Sequence, residues 1–339
     1  MKNAVLIGVG MVADTHRLAL EASSHARLAA VCARRPERAE DYAGKHGLRA
    51  LTLAEACADP DIDFAIIATP PSVRVDIVGA LVQARKPILL EKPIERSLAA
   101  ATSIVERCEA AKLPLGMVFQ HRMRRASQKL TQLMAEGAFG PLALAQIDVP
   151  WWRSQEYYNE PGRGTIAQDG GGVLMTQAIH TLDLALSLTG PVAQVQAMAR
   201  TSKMHRMEAE DVVAAGLDFV NGATGTLTAT TANFPGRAES ITLHCADASA
   251  RLERTELHIH WRDGRTETFG EGGDAGGAGA DPMAFTHTWH QRVIEDFVAS
   301  LEEGRPPLVT GRAALKTHAL IEGLMESSLE GKRMKIRNV

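Results

Sequence analysis

Four short stretches of this chain set glycines, arginines, a lysine and a histidine where a bound ligand could meet them. The first is Gly8-Val9-Gly10-Met11-Val12-Ala13, directly after the apolar run Ala4–Ile7. Glycines at Gly8 and Gly10 allow a tight turn and let backbone N–H groups approach a pyrophosphate at a helix N-terminus. Gly8, Gly10, Met11 and Val12 are therefore candidate cofactor contacts, with alanine an accepted substitute at the third glycine position. In the second stretch the next strand ends Val31-Cys32-Ala33-Arg34-Arg35. An NAD site usually carries Asp or Glu here to hold the ribose hydroxyls. Ala33 removes that carboxylate, and Arg34 or Arg35 can pair with a 2′-phosphate, which favours NADP over NAD.

The third stretch, Glu91-Lys92-Pro93, ends the apolar run Pro87–Leu90. Lys92 then projects from a strand's carboxyl edge, and Pro93 restricts the backbone beside it. A lysine there is more often solvated than catalytic when judged by residue type alone. The fourth is Asp169-Gly170-Gly171-Gly172, followed by a helix over 173–189. Between Gly170 and Gly190 the only formally charged residue is Asp183, so the helix is expected to be buried. Thr176, His180, Asp183 and Ser187 fall at i, i+4, i+7 and i+11, one polar stripe. Such a stripe suits a substrate site or, equally, a core histidine bonded to neighbouring backbone.

The elements that position these residues change character along the chain. Through about residue 120, the runs Ala4–Ile7, Leu28–Cys32, Phe64–Ala68 and Pro87–Leu90 alternate with helical segments such as Val73–Ala84. That rhythm predicts a doubly wound parallel sheet, with ligands outside the carboxyl ends of its strands. Beyond it, Val192–Ala199, Val212–Phe219, Ala223–Thr230, Ile241–His244 and Leu257–Trp261 read as strands joined partly by tight Asn-Gly and Asp-Gly turns. Residues 270–280 hold six glycines and read as a flexible loop, and two helices, roughly 287–303 and 311–330, close the chain. The expected division is a Rossmann domain over 1–120 and an α+β domain over 121–339 with a large, mainly antiparallel sheet.

Composition agrees with two domains in 339 residues, at about 100–200 residues each. Lys and Arg total 37 against 40 Asp and Glu, a net charge of −3, which gives no general attraction to nucleic acid or an anionic membrane. No apolar run reaches the roughly 18 residues of a membrane span, and no signal segment opens the chain. Four dispersed cysteines point to a reducing, cytoplasmic setting without structural zinc. His258 and His260 share a strand face without a third ligand nearby, so no metal site is expected. The basic run Arg122, Arg124, Arg125 reads as a solvated helix face rather than a nucleic-acid patch.

These motifs, together with Ala68-Thr69-Pro70-Pro71, the order of His180 and Asp183, and the tail 297–307, resemble the Gfo/Idh/MocA oxidoreductases over nearly the whole chain. The resemblance implies hydride transfer between NAD(P) and a secondary alcohol of a sugar, polyol or sugar acid. It implies that His180 takes the hydroxyl proton while Lys92 hydrogen-bonds the same oxygen. Thr69, Pro70, Glu91 and Lys92 would line the cofactor, and the open sheet face would make a homodimer or homotetramer. Two departures stand out: Thr176 replaces the Asp or Asn of many relatives, and Arg74 replaces a histidine. Trp151, Trp152, Tyr157 and Tyr158 crowd into eight residues near Arg153 and Arg163. Trp152, Arg153, Tyr158, Arg163 and Thr176 are thus candidate substrate contacts, since aromatic faces suit a sugar ring and guanidinium suits its hydroxyls or a carboxylate, although the aromatic cluster suits an interface or the core equally. The rival readings are an NAD-dependent glycosidase working through transient oxidation and a non-catalytic dinucleotide sensor.

Overall fold

Short apolar runs flanked by amphipathic helices give the first sheet its parallel pairing. In the computed structural model, which describes residues 1–270 and 286–339, its strands are β1 (Lys2–Ile7), β2 (Ala26–Cys32), β3 (Arg49–Ala50), β4 (Phe64–Ile67), β5 (Ile88–Glu91) and β6 (Leu115–Val118). They lie in the order β3-β2-β1-β4-β5-β6, all parallel. The connecting helices are α1 (Ala13–Glu21), α2 (Pro36–His46), α3 (Leu53–Ala58), α4 (Arg74–Gln83) and α5 (Leu98–Ala110). Every residue of β4, β5 and β6 is buried, as expected of strands covered on both faces. The strand order reverses between β1 and β4, which opens a crevice at their carboxyl ends.

The chain divides into two compact units. One holds Met1–Gln120 and Thr286–Leu315; the other holds the described residues of 121–285 with Lys316–Val339. Residues 286–315 follow the second sheet in sequence yet group with the first unit. The helix Thr288–Glu303 explains this, because its buried Trp289, Val293, Ile294 and Phe297 form an apolar stripe. It packs on α1, β2 and β6, and the Phe297 ring lies 5.6 Å from Phe64.

Among the described residues the second unit is built on nine strands: β7 (Leu142–Pro150), β8 (Val192–Arg200), β9 (Val212–Phe219), β10 (Thr224–Thr230), β11 (Ser240–Cys245), β12 (Ala248–Glu253), β13 (Glu256–Trp261), β14 (Thr266–Gly270) and β15 (Met334–Lys335). Their order is β14-β13-β12-β11-β7-β10-β9-β8-β15, antiparallel throughout except for the parallel β7–β10 pair. Sequence patterning misses β7, β12, β14 and the two-residue β15. In β12, for example, small Ala248 and Ala250 alternate with Ser249 and Arg251, so its apolar signal is weak although its inward face is buried. Helices α6 (Arg125–Ala135), α7 (Gln155–Asn159), α8 (Ile166–Asp169) and α9 (Ile179–Thr189) accompany this sheet, and α9 packs on β7, β11 and α6. The glycine-rich loop expected over 270–280 lies, from 271 onward, outside the described residues. Among the described residues no helix is long and apolar enough to cross a membrane.

Among the described glycines of the first unit, Gly8 carries the closest approach to main chain. Its φ is +110°, and a Cβ there would sit 2.8 Å from the Ala68 carbonyl and 2.9 Å from the Thr69 nitrogen. Gly8→Ala should therefore cost about 1–3 kcal/mol from backbone strain alone, before any clash is relieved. Urea unfolding followed by circular dichroism measures this, and an unchanged midpoint would show that the ends of β1 and β4 do not meet.

Candidate active site

The first unit sets Gly8, Thr69 and Lys92 just beyond the carboxyl ends of three neighbouring strands, β1, β4 and β5. Gly10 is exposed, and nothing lies within 4 Å of where its Cβ would be. Met11 is exposed, and α1 then starts from Val12 with no side chain capping it; the Ala13 N–H donates to the Gly10 carbonyl at 3.1 Å, and the N–H groups that follow it in the first turn face a ligand without a side-chain cap. The buried Thr69 hydroxyl oxygen has no hydrogen-bond partner among the described residues, and Pro70 beside it is exposed. An open glycine turn, an uncapped helix and an orphaned hydroxyl fit a dinucleotide held across this switch point. Arg34 and Arg35 are both exposed just past β2. Sequence reasoning missed Arg38, whose guanidinium donates to the Val9 carbonyl inside the glycine turn at 3.2 Å.

Glu91, the last residue of β5, turns its carboxylate into the unit. It accepts from His16 Nε2 on α1 at 2.9 Å and from the Lys92 backbone N–H at 3.2 Å, and His290 Nε2 lies 3.7 Å away. Burial pushes the Glu91 carboxyl up, but the two imidazoles outweigh it and hold it well below the ordinary carboxylate range. Burial pulls the His290 imidazole down. Ligand atoms of His16, Glu91 and His290 lie within 4.8 Å of one another, so this is the group in the unit that could hold a divalent ion. The 2.9 Å His16–Glu91 contact is also a complete hydrogen bond on its own terms.

In the second unit, His180 sits in the first turn of α9 and is buried. Its ring stacks on His121 with centroids 5.0 Å apart and planes at 29°. The next residue, Arg122, grips Asp183 from two sides: Nε donates to Oδ2 at 2.6 Å and Nη2 to Oδ1 at 2.8 Å. Burial pushes the Asp183 carboxyl up, and Arg122 draws it back without cancelling the effect. A short turn, Gln120–Met123, thus engages His180 and Asp183 of the α9 face. Here the expected solvated helix face is corrected. Arg122 and Arg124 precede α6, and Arg124 is buried with Nη1 donating to Glu239 Oε1 at 2.7 Å. Only Arg125 is exposed. The partners are carboxylates more than sixty residues away, which a local charge run cannot disclose.

The polar stripe also needs correction. Leu174–Ala178 forms a π-helical turn before α9, so counting back from His180 at 3.6 residues per turn misplaces Thr176. The Thr176 hydroxyl instead donates to the Gly172 carbonyl at 2.7 Å and touches the Gln177 amide. Gln177, buried and missed by sequence reasoning, reaches the Tyr157 hydroxyl at 3.4 Å. Upstream of that turn, Gly172 is required because a Cβ would lie 1.7 Å from the Glu210 carbonyl oxygen. The Glu210 carboxylate accepts from the N–H groups of Gly172 and Leu174 at 3.0 and 3.1 Å, which anchors the turn.

Tyr157 gathers most of the expected substrate contacts. The Arg163 and Arg153 guanidiniums lie 5.0 and 5.8 Å from its ring centre, and Arg153 also lies 5.4 Å from the Trp151 ring. Tyr158 is buried and shares a 2.6 Å hydrogen bond with Thr231. Trp152 packs edge-on against exposed Phe234 at 5.3 Å and near His205 at 5.8 Å. His205 in turn bonds the Asp211 carboxylate at 2.7 Å and the Arg153 carbonyl at 2.8 Å. The aromatic cluster is therefore part core, through Tyr158, and part half-exposed surface, through Trp152 and Tyr157.

Arg122→Met would leave the fully buried Asp183 carboxylate without its counter-charge, at a cost of about 3–5 kcal/mol. Arg122→Met combined with Asp183→Leu should recover most of that loss, because neither charge is then stranded. Chemical denaturation of both variants tests this; equal losses would mean the pair is not a coupled unit.

Two family profiles divide the chain as the geometry does. One, described as an oxidoreductase family with an NAD-binding Rossmann fold, matches residues 2–119. The other, the GFO/IDH/MocA C-terminal domain, matches 127–251. The chain is 27% identical to D-apiose dehydrogenase of Paraburkholderia graminis, over 98% of this chain and 89% of that protein. It is also 27% identical to D-apiose dehydrogenase of Rhizobium rhizogenes, over 98% and 96%. Among solved structures it is similar to the WlbA dehydrogenase of Bordetella pertussis in complex with NADH and UDP-GlcNAcA, at 25% identity, with a TM-score of 0.86, over 100% and 98% of the two chains. Motifs, strand order and both profiles agree: the chain belongs to the Gfo/Idh/MocA oxidoreductase family.

Proposed function

We propose that this protein is an NAD(P)-dependent dehydrogenase acting on a secondary alcohol of a sugar, polyol or sugar acid. The observation that carries the reading is the placement of Gly8, Thr69 and Lys92 beyond the ends of β1, β4 and β5, at and beside the switch point of a family-matched Rossmann sheet. D-apiose dehydrogenases and a WlbA bound to NADH and UDP-GlcNAcA support the substrate class. When bound, the nicotinamide supplies the acceptor for the carbinol hydrogen as hydride. His180 takes the hydroxyl proton, held by its stack on His121 and by a helix that Arg122 fixes through Asp183. Lys92 donates to the same oxygen and stabilises its developing negative charge. Trp152, Arg153, Tyr158 and Arg163 shape the sugar side, with Thr176 acting through Gln177 and Tyr157.

The cofactor proposed is NADP ahead of NAD. Arg34 and Arg35 stand exposed past β2 beside Ala33, which takes the place of the usual carboxylate, and Arg38 adds a third guanidinium beside the glycine turn. A homodimer or homotetramer is supported by the alternating exposure of Thr224, Thr226 and Thr228 on β10 and of Met198 on β8, one uncovered sheet face. The four thiols are free, in keeping with a reducing cytoplasm.

Absorbance of the reduced nicotinamide is followed against sugars, polyols and sugar acids, D-apiose included, with NAD and NADP in parallel. Turnover is expected, and Lys92→Ala or His180→Ala should lower kcat about a hundredfold or more while NADH affinity changes only a few-fold. Release of free sugar from a glycoside without net cofactor change would replace this reading with the glycosidase. Cofactor binding without chemistry would leave a sensor. Arg34→Ala with Arg35→Ala should reduce the NADP-to-NAD ratio of kcat/KM about tenfold or more, the loss of one or two charge-assisted contacts. An unchanged ratio would overturn the NADP assignment.

A further inference from the structure

Arg74 opens α4 and is only 2% exposed, an uncommon place for a guanidinium. Its Nε and Nη2 donate to the Thr69 carbonyl at 3.1 and 2.7 Å. Its Nη1 donates to the carbonyls of Glu91 and Pro93, the two residues that flank Lys92. One planar side chain therefore holds three main-chain oxygens on two separate strand-end loops. Burial pushes the Arg74 pKa down to about 10, and the carboxylates of Glu91 and Glu95 act in the opposite sense. Both carboxylates are buried as well, at 6% and 2% exposure, so the cation is balanced inside the unit.

The geometry fixes what such a group can do. A guanidinium presents its donors in a rigid plane, so it sets the distances and angles between the oxygens it holds. An ammonium in the same place offers three protons from a single point and cannot span the Thr69 and Pro93 carbonyls together. On the Thr69 side the loop also abuts the Gly8 turn, where a Cβ would meet Thr69 at 2.9 Å. On the Lys92 side, the Glu91 carboxylate is tied to His16 on α1, the helix that follows the same turn.

We propose that Arg74 is a positioning residue that locks the Thr69 loop to the carbonyls of the two residues flanking Lys92. The direction of the lysine and the cofactor-side loop are then set together. The inference rests on the roles assigned to Lys92 and Thr69 in the proposed dehydrogenase. It predicts that removing the fork while keeping the charge impairs both loops at once.

Arg74→Lys and Arg74→Gln are compared with wild type and Lys92→Ala. Competent sites are counted by stoichiometric NADH binding through nicotinamide fluorescence, and turnover is expressed per NADH-binding site. Arg74→Lys should raise the NADH Kd about tenfold and lower kcat per site about a hundredfold, with substrate KM changed less than about threefold. A purely structural role would lower Tm and leave kcat per site near wild type. Unchanged NADH affinity, readable whether or not a substrate is in hand, overturns the tie between the loops. Unchanged turnover per site overturns the action on Lys92. If both Arg74 variants fail to fold where Lys92→Ala folds, Arg74 is a folding residue and the proposal is wrong. Wild-type turnover in Lys92→Ala instead removes the role of Lys92 on which the inference rests, an outcome the Arg74 variants alone cannot produce.

Discussion

A carboxylate cannot stay ionised in an apolar interior unless something nearby compensates it, and that constraint organises the first unit around Glu91. The residue ends a fully buried strand, so its side chain has nowhere wet to go. Compensation comes from His16 at 2.9 Å, from the neighbouring His290, and from the nearby Arg74 guanidinium, on three different helices. Each partner has a consequence beyond charge. His16 draws α1 to the end of β5, and α1 is the helix whose uncapped N-terminus follows the glycine turn. His290 brings the helix Thr288–Glu303 into the first unit, although it comes after the whole second sheet in sequence. Lys92 is covalently next to Glu91, so the constraint that organises the interior also fixes where the lysine starts.

The second unit repeats the device with different chemistry. Asp183 is wholly buried in α9, three residues after His180, and its partner is the two-pronged Arg122. The segment that carries Arg122 to Asp183 also places His121 over the His180 ring. Energetically, such pairs give weak evidence for stability, because replacing both members by apolar groups often costs little. Their value here is orientation. In each unit the residue assigned to the alcohol oxygen lies within a few positions of a buried ion pair that sets the local backbone.

Much of this was legible in the sequence because it depends on local signals. Strand-length apolar runs separated by amphipathic helices identified the Rossmann rhythm, and Gly8, Gly10 and Lys92 fell at strand ends by simple counting. What stayed hidden depends on distance. Arg122 and Arg124 looked like a solvated run because Asp183 and Glu239 lie far along the chain. His16 looked like any residue of a first helix until Glu91 was placed beside it. The π-helical turn at Leu174–Ala178 hid differently: one extra residue in a turn leaves an apolar sequence reading as an ordinary helix, yet it shifts which side chains share a face. Gln177 was lost to that shift. A glutamine in a helix expected to be buried was the available signal, since its amide must find partners.

The two departures from the family pattern now separate by what they touch. Arg74 contacts only main-chain oxygens and so acts on geometry, whatever alcohol is bound. Thr176 sits at the head of a side-chain relay through Gln177 to Tyr157, whose ring carries the Arg153 and Arg163 guanidiniums. The Thr176 hydroxyl lies against both the Gly172 carbonyl and the Gln177 amide oxygen, and the Gln177 NH2 donates onward to the Tyr157 hydroxyl at 3.4 Å. An Asp at position 176 would bring a negative charge near His180 and remove this neutral relay. Threonine instead leaves the arginine-rich aromatic surface as the source of charge. Variation at 176 therefore reads as a change in what the substrate side recognises, while the proton and oxyanion chemistry assigned to His180 and Lys92 keeps its own supports.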